Sequence, residues 1–136
     1  MISSDNVKYF FGEHAEFEHA GVAVRSINDA AKGVEKTEDP IQRVNVAFIY
    51  INNFKIELIE PITEKSPITK ILDKGQSLYH LCFRVPDINK ALESARKHGF
   101  HCIARPVPAK AFNDNKVAWV FSKVYGLFEL IEEDRS

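Results

Sequence analysis

Two histidines and two glutamates are the residues of this chain whose types and spacing point most clearly to chemistry. The segment His19-Ala-Gly-Val-Ala-Val-Arg-Ser-Ile-Asn-Asp-Ala-Ala lies in register with His80-Leu-Cys-Phe-Arg-Val-Pro-Asp-Ile-Asn-Lys-Ala-Leu at a shift of 61 positions. Each copy is followed by the same four residues, Glu57-Leu58-Ile59-Glu60 and Glu129-Leu130-Ile131-Glu132. Two imidazoles and two carboxylates suit one borderline or hard divalent ion, which makes Co, Mn, Ni, Fe or Zn the expected cofactor. A donor set with coordination positions left over favours substrate chelation over a purely structural role. The proposed metal ligands are therefore His19, Glu57, His80 and Glu129.

Other reactive residues carry less weight. His14, His98 and His101 have no partner in the repeat and read as surface or supporting residues. Glu60 and Glu132 recur, but strand alternation turns them away from the face that carries Glu57 and Glu129, so they read as solvated strand ends. Cys82 shares the face of His80, yet no histidine partner can be argued for it, and it is a weak candidate nucleophile. The chain has no Gly-rich phosphate loop, no Gly-x-Ser-x-Gly and no Cys-x-x-Cys.

The elements that must position these residues follow from hydrophobic periodicity. Val22 and Val24 in the first copy, and Leu81, Phe83 and Val85 in the second, alternate as strands leaving His19 and His80. Helical spacing follows at Ile88, Ala91, Leu92 and Ala95, with Asp87 as cap and Gly99 as stop. Ile27, Ala30, Ala31 and Val34 repeat that spacing behind Ser26. Strands are expected at Val44–Tyr50, Lys55–Glu60, Val117–Phe121 and Leu127–Ile131, with Asn52-Asn53 as a hairpin turn. Each module thus reads as a strand, a helix, then two or three strands. The helix stripes claim one face of each sheet, so His19, Glu57, His80 and Glu129 fall on the opposite face. If the halves are related by a pseudo-twofold axis, all four converge in one cleft.

The halves are unequal. His19 and Glu57 are 38 positions apart and His80 and Glu129 are 49 apart, a difference of 11. That shortfall must lie between Val34 and Val44, so the first helix is short or its following strand is lost. We expect one domain over 1–136, with module one about 18–61, a connector at 62–78 carrying a short helix at Ile68–Leu72, and module two about 79–133. The first 17 residues lie outside the repeat.

Composition narrows the function classes. A formal charge of −1 with scattered Lys and Arg lacks the basic face that nucleic-acid binding needs, so nucleic acid is not an expected partner. No signal peptide is visible, and the longest apolar run, Val46 to Ile51, is far too short to span a membrane. Two cysteines without a secretory signal read as reduced thiols, and a cytoplasmic location is expected.

The quoted stretches, with Val46-Ala-Phe-Ile-Tyr-Ile-Asn-Asn-Phe-Lys-Ile-Glu-Leu-Ile-Glu-Pro61, Ser66-Pro-Ile, Lys116-Val-Ala-Trp-Val-Phe and Gly126-Leu-Phe-Glu-Leu-Ile-Glu132, resemble the vicinal-oxygen-chelate (glyoxalase/bleomycin-resistance-like) superfamily. Within it they are most similar to the methylmalonyl-CoA epimerases. The resemblance implies an α+β fold of paired βαβββ modules, with the first module shortened here. It also implies a metal at His19, Glu57, His80 and Glu129, a homodimer, and a small-molecule substrate such as an acyl-CoA. The implied chemistry is epimerase- or isomerase-like removal of a proton beside a carbonyl, with Glu129 in the catalytic set. The epimerases carry their acid/base glutamate in a Glu-Gln-Gly-Val pattern, where this chain has Ile41-Gln42-Arg43-Val44. The base is then expected from the shortened loop, at Glu38 or Asp39. A lyase acting on a free oxo-acid, and a non-catalytic protein that sequesters a small ligand, are the competing readings.

Overall fold

The computed structural model describes residues 3–133; Met1, Ile2 and the last three positions of the expected 1–136 domain lie outside the described residues. The first half runs β1 (Glu16–Ala23), α1 (Ile27–Ala30), β2 (Thr37–Asp39), β3 (Val44–Ile51) and β4 (Phe54–Pro61). After α2 (Pro67–Asp73), the second half repeats that order as β5 (Leu78–Val85), α3 (Ile88–Lys97), β6 (His101–Ala109), β7 (Asn115–Ser122) and β8 (Gly126–Glu132). The eight strands form one curled sheet ordered β2-β3-β4-β1-β5-β8-β7-β6. The order reads the same from either edge, so a pseudo-twofold relates the halves across the β1–β5 seam. Within each half the first and last strands are parallel, β1 with β4 and β5 with β8, while the seam itself is antiparallel. The architecture is α+β, as expected.

Local chemistry explains the boundaries. The Ser26 hydroxyl accepts from Asp29 N–H at the start of α1, and the Asp87 carboxylate accepts from Lys90 N–H at the start of α3. Gly99, at φ +86°, supplies the left-handed turn that ends α3. Asn52, at φ +54°, makes the β3–β4 turn, a conformation that asparagine tolerates better than most side chains. Ser66 and Pro67 start α2 as cap and first-turn proline.

The sheet buries both faces. On the helix face, Ile27, Ala47 and Leu58 pack together in the first half. The larger cluster of the second half includes Val85, Ile88, Ala95, Phe100, Val120 and Leu130. Phe10 and Phe11 join this second cluster, which places the segment preceding the repeat over α3's side of the sheet. On the opposite face α2 lies against Ala23, Val44, Val46 and Ile59 through Ile68. The shortfall falls mainly on two elements, with the connecting segments making up the balance: α1 has 4 residues against 10 in α3, and β2 has 3 against 9 in β6. Helix and strand both shrink, and neither disappears.

Candidate metal centre

The strand alternation that sends Leu58 and Leu130 to the helix face sends Glu57 and Glu129 to the other, and there they meet the two histidines. All four side chains are buried, at 0% exposure for His19, 4% for Glu57, 3% for His80 and 2% for Glu129. One donor atom from each lies within 4.8 Å of every other. His19 Nε2 is 3.3 Å from His80 Nε2, 3.3 Å from Glu57 Oε1 and 3.2 Å from Glu129 Oε1. His80 Nε2 is 3.7 Å from Glu57 Oε1 and 3.3 Å from Glu129 Oε1. An ion held at ~2.0–2.1 Å from tetrahedral donors separates them by about 3.3 Å, so these spacings fit one first-row divalent ion.

Electrostatics agrees with the geometry. Burial, the strongest influence on His19, lowers its pKa, but the surrounding Cys82, Glu129, Glu18 and Glu57 outweigh it and hold the imidazolium form well above the usual range. Burial likewise raises Glu129, yet His19 and His80 hold that carboxyl down at about 2. A dry cluster of carboxylates thus demands positive charge, which a proton on His19 or a divalent cation can supply. His19 Nδ1, His80 Nδ1 and Glu129 Oε1 are buried without hydrogen-bond partners, a cost that a metal removes for the glutamate oxygen.

Residues around the cluster hold it in place. Phe17 pairs with Phe83 and His19 with Cys82, so Glu18 sits in a β-bulge of β1. Its carboxylate lies 3.6 Å from His19 Nδ1 and accepts from Lys55 Nζ at 2.6 Å and from Arg84 Nη1 at 2.8 Å. His19 and then Lys55 outweigh burial and hold the Glu18 carboxyl down at about 2. Such a carboxylate–histidine pair is the usual support of a metal-ligating imidazole. The ring of His80 crosses directly over Gly21, where any added Cβ would fall inside the imidazole. Phe112 stacks on His19 at 5.6 Å, and Tyr79 and Trp119 meet His80 edge-on at 4.5 and 4.7 Å.

The two glutamates of the cluster form part of the wall of a cavity of about 560 Å³, lined also by Asp39, Ile41, Val46, Ile59 and Trp119; His19 and His80 lie behind that wall and do not line it. Asp39 is buried and lines this cavity, whereas Glu38 is exposed and does not. The Asp39 oxygens accept from Gln42 N–H and Nε2–H, both at 3.0 Å, and from Lys110 N–H at 3.3 Å. Cys82 is fully buried, and burial together with the Glu129 charge pushes its thiol up, away from nucleophilic character. His14 and His101 are exposed, while His98 bonds to the Ser94 carbonyl on its own helix.

Glu60 and Glu132 correct the expectation of solvated strand ends. Glu60 Oε1 accepts from Ile27 N–H at 2.7 Å, and Glu132 Oε2 accepts from Ile88 N–H at 2.9 Å. Each repeated Glu-Leu-Ile-Glu therefore sends its first carboxylate to the four-residue cluster and its last to a helix N-terminus. Glu18 and the aromatic rings escaped sequence reading. The strand glycine at Gly21 was a usable signal of close approach.

Comparison with known proteins agrees with this architecture. An uncharacterized Bacillus subtilis protein, YqjC, is 34% identical over 113 residues, covering 76% of this chain and 80% of that protein. The ethylmalonyl-CoA/methylmalonyl-CoA epimerase of Cereibacter sphaeroides is 28% identical over 116 residues, covering 77% of this chain and 87% of the enzyme. The crystal structure of the hypothetical protein BH1468 from Bacillus halodurans superposes with a TM-score of 0.75 at 29% identity, covering 91% of this chain and 98% of that one. The profile of the Glyoxalase/Bleomycin resistance protein/Dioxygenase superfamily matches residues 18–119, three-quarters of the sequence, and the chain belongs to that superfamily.

Proposed function

We propose that the protein is a divalent-metal-dependent enzyme of epimerase or isomerase type, which moves a proton at the carbon beside the carbonyl of a small oxo or acyl-CoA substrate. The observation that carries this reading is the four-donor cluster, whose two glutamates line a largely apolar cavity. Similarity to an ethylmalonyl-CoA/methylmalonyl-CoA epimerase supports the substrate class. His19, Glu57, His80 and Glu129 would hold the ion, which when bound supplies Lewis acidity at the cavity wall. The aromatic rings around the imidazoles exclude water and fix their orientation. Of the two acids in the shortened loop, Asp39 is the one positioned to take the substrate proton, because it lines the cavity and Glu38 does not. Positioned acid–base groups contribute roughly 10²–10⁴-fold in rate.

The test is deuterium uptake from heavy water at the substrate α-carbon across a panel of oxo-acids and acyl-CoAs. Uptake is expected with metal, lost in Glu129→Ala, and reduced ~10²-fold or more in Asp39→Asn. Full exchange in Asp39→Asn removes Asp39 from the role. Ile41, 54% exposed at the cavity where the epimerases carry glutamate, favours one competing reading, a sequestering protein. Tight binding of a panel member without exchange on any would establish that reading instead. A homodimer is also proposed, since edge strands β2 and β6 and the exposed side chains of Tyr50, Ile51 and Phe54 leave apolar surface to cover. A monomer mass independent of concentration in sedimentation would contradict it.

A further inference from the structure

Two arginines line the cavity, Arg43 and Arg105, and neither guanidinium has an ion pair or hydrogen bond among the described residues. Both sit where the backbone departs from regular geometry. Arg43, just before β3, has φ +60°, the left-handed region that disfavours a long side chain. In β6, Ala104 pairs with Trp119 and Val107 with Val117, so Arg105 and Pro106 together oppose the single residue Ala118. Such a bulge re-aims a side chain out of the ordinary alternation. Non-glycine residues held at unfavourable φ concentrate at ligand sites.

Charge completes the case. The cavity's charged lining consists of Asp39, Glu57 and Glu129 against Arg43 and Arg105. A divalent ion at the cluster would neutralise the two glutamates, leaving one carboxylate, Asp39, which accepts hydrogen bonds from Gln42 and the Lys110 backbone, against two arginines. The lining is then positive by one charge, and that charge is at the arginines.

We infer that Arg43 and Arg105 form an anion-recognising subsite at the rim of the cavity, which selects a substrate carrying a carboxylate or phosphate in addition to its carbonyl. The inference rests on the cavity being the ligand site proposed above. Guanidinium is suited to either anion, since its planar fork can bond two oxygens at once.

The experiment is calorimetric titration of the purified chain with two probes, malonate for carboxylates alone and coenzyme A for phosphates without an acyl group. Affinity for at least one probe is expected to fall roughly tenfold or more in Arg43→Gly with Arg105→Gln, as loss of charge-assisted hydrogen bonds implies. Loss for malonate assigns a carboxylate, and loss for coenzyme A assigns a phosphate. Arg43→Gln, which keeps a side chain on the same backbone, must weaken binding as Arg43→Gly does. If only the glycine variant loses affinity, the loop geometry is responsible and the subsite is refuted. Equal affinities in all variants, or no binding of either probe by the parent chain, also overturn it. Arginine-dependent binding without deuterium exchange leaves the subsite standing and removes the enzyme, whereas exchange without arginine-dependent binding does the reverse.

Discussion

The two halves share a centre and differ at the periphery. Each supplies one histidine from its first strand and one glutamate from its last, and these strands are the parallel pairs flanking the seam. Each also caps its helix with the carboxylate that ends its Glu-Leu-Ile-Glu. Away from the seam the likeness fades, since α1 is one turn where α3 is nearly three, and β2 is a stub beside β6. The cluster survives the loss because none of its residues comes from the shortened elements. What changes is the cavity wall, where the shortened loop carries Asp39, Ile41, Gln42 and Arg43. The four donors and the cavity wall beside them are therefore built by different parts of the fold.

The largest effect should come from breaking the shared centre. His19→Ala combined with His80→Ala is expected to take metal content from about one ion per chain to none, measured by elemental analysis after dialysis. Each single variant should lose affinity to a similar degree; if one retains metal and the other does not, the halves are not equivalent at the site. Next are Ile27 and Ile88, corresponding first residues of the two helices, 0% and 1% exposed. Replacement by alanine should cost ~2–5 kcal/mol in urea denaturation, with Ile88→Ala the worse because its larger cluster collapses less readily. An equal or larger loss at Ile27 would show that the one-turn helix is packed as firmly as the long one.

Gly21 and Cys82 occupy equivalent positions but act differently, since one admits the ring of His80 and the other is a fully buried side chain paired across the seam with His19. Gly21→Ala should displace His80 and weaken metal binding by roughly 10–100-fold, the range seen when support of a ligand is lost. Unchanged affinity in a competition titration would mean that His80 is not a ligand. The smallest expected effect is at the helix caps. Burial raises the Glu60 carboxyl, but bonds from Ile27 N–H, Asn45 and Lys36 outweigh it and leave the group below its ordinary value of 4.5. A depressed carboxyl contributes stability above its unfolded pKa and loses it as pH falls through the folded one. Glu60→Gln should therefore cost ~1 kcal/mol near neutrality, with the difference from the parent shrinking below pH 4.5. A difference independent of pH would assign the cost to packing. Glu132→Gln, at a less buried site, should cost less.

Much of the centre was legible because a repeat restricts chance. A lone histidine at a strand start says little, whereas His19 and His80 matched by Glu57 and Glu129 define corresponding faces of corresponding strands. The caps Ser26 and Asp87 were legible because they act within three residues. The roles of Glu60 and Glu132 were not, since their partners lie 33 and 44 positions away and are set by how strand and helix pack. Glu18 was hidden for a different reason. Period-two alternation assigns neighbouring residues to opposite faces, and only the bulge brings Glu18 beside His19. A third strand after the second module's helix was left open by periodicity and given no bounds; β6 fills that place, an edge strand that carries Pro106 and Pro108 where no partner needs their missing N–H.

The β1–β5 seam has a thermodynamic consequence. Donors from both sides of it meet at one point, so an ion held there would be a reversible cross-link between the halves, closing a loop that runs from His19 to Glu129. Its contribution to folding then obeys mass action: each tenfold rise in free metal above the dissociation constant adds about 1.4 kcal/mol, until binding to the unfolded chain competes. The melting temperature becomes a readout of the metal supply around the protein. Opening the seam and releasing the ion become a single event.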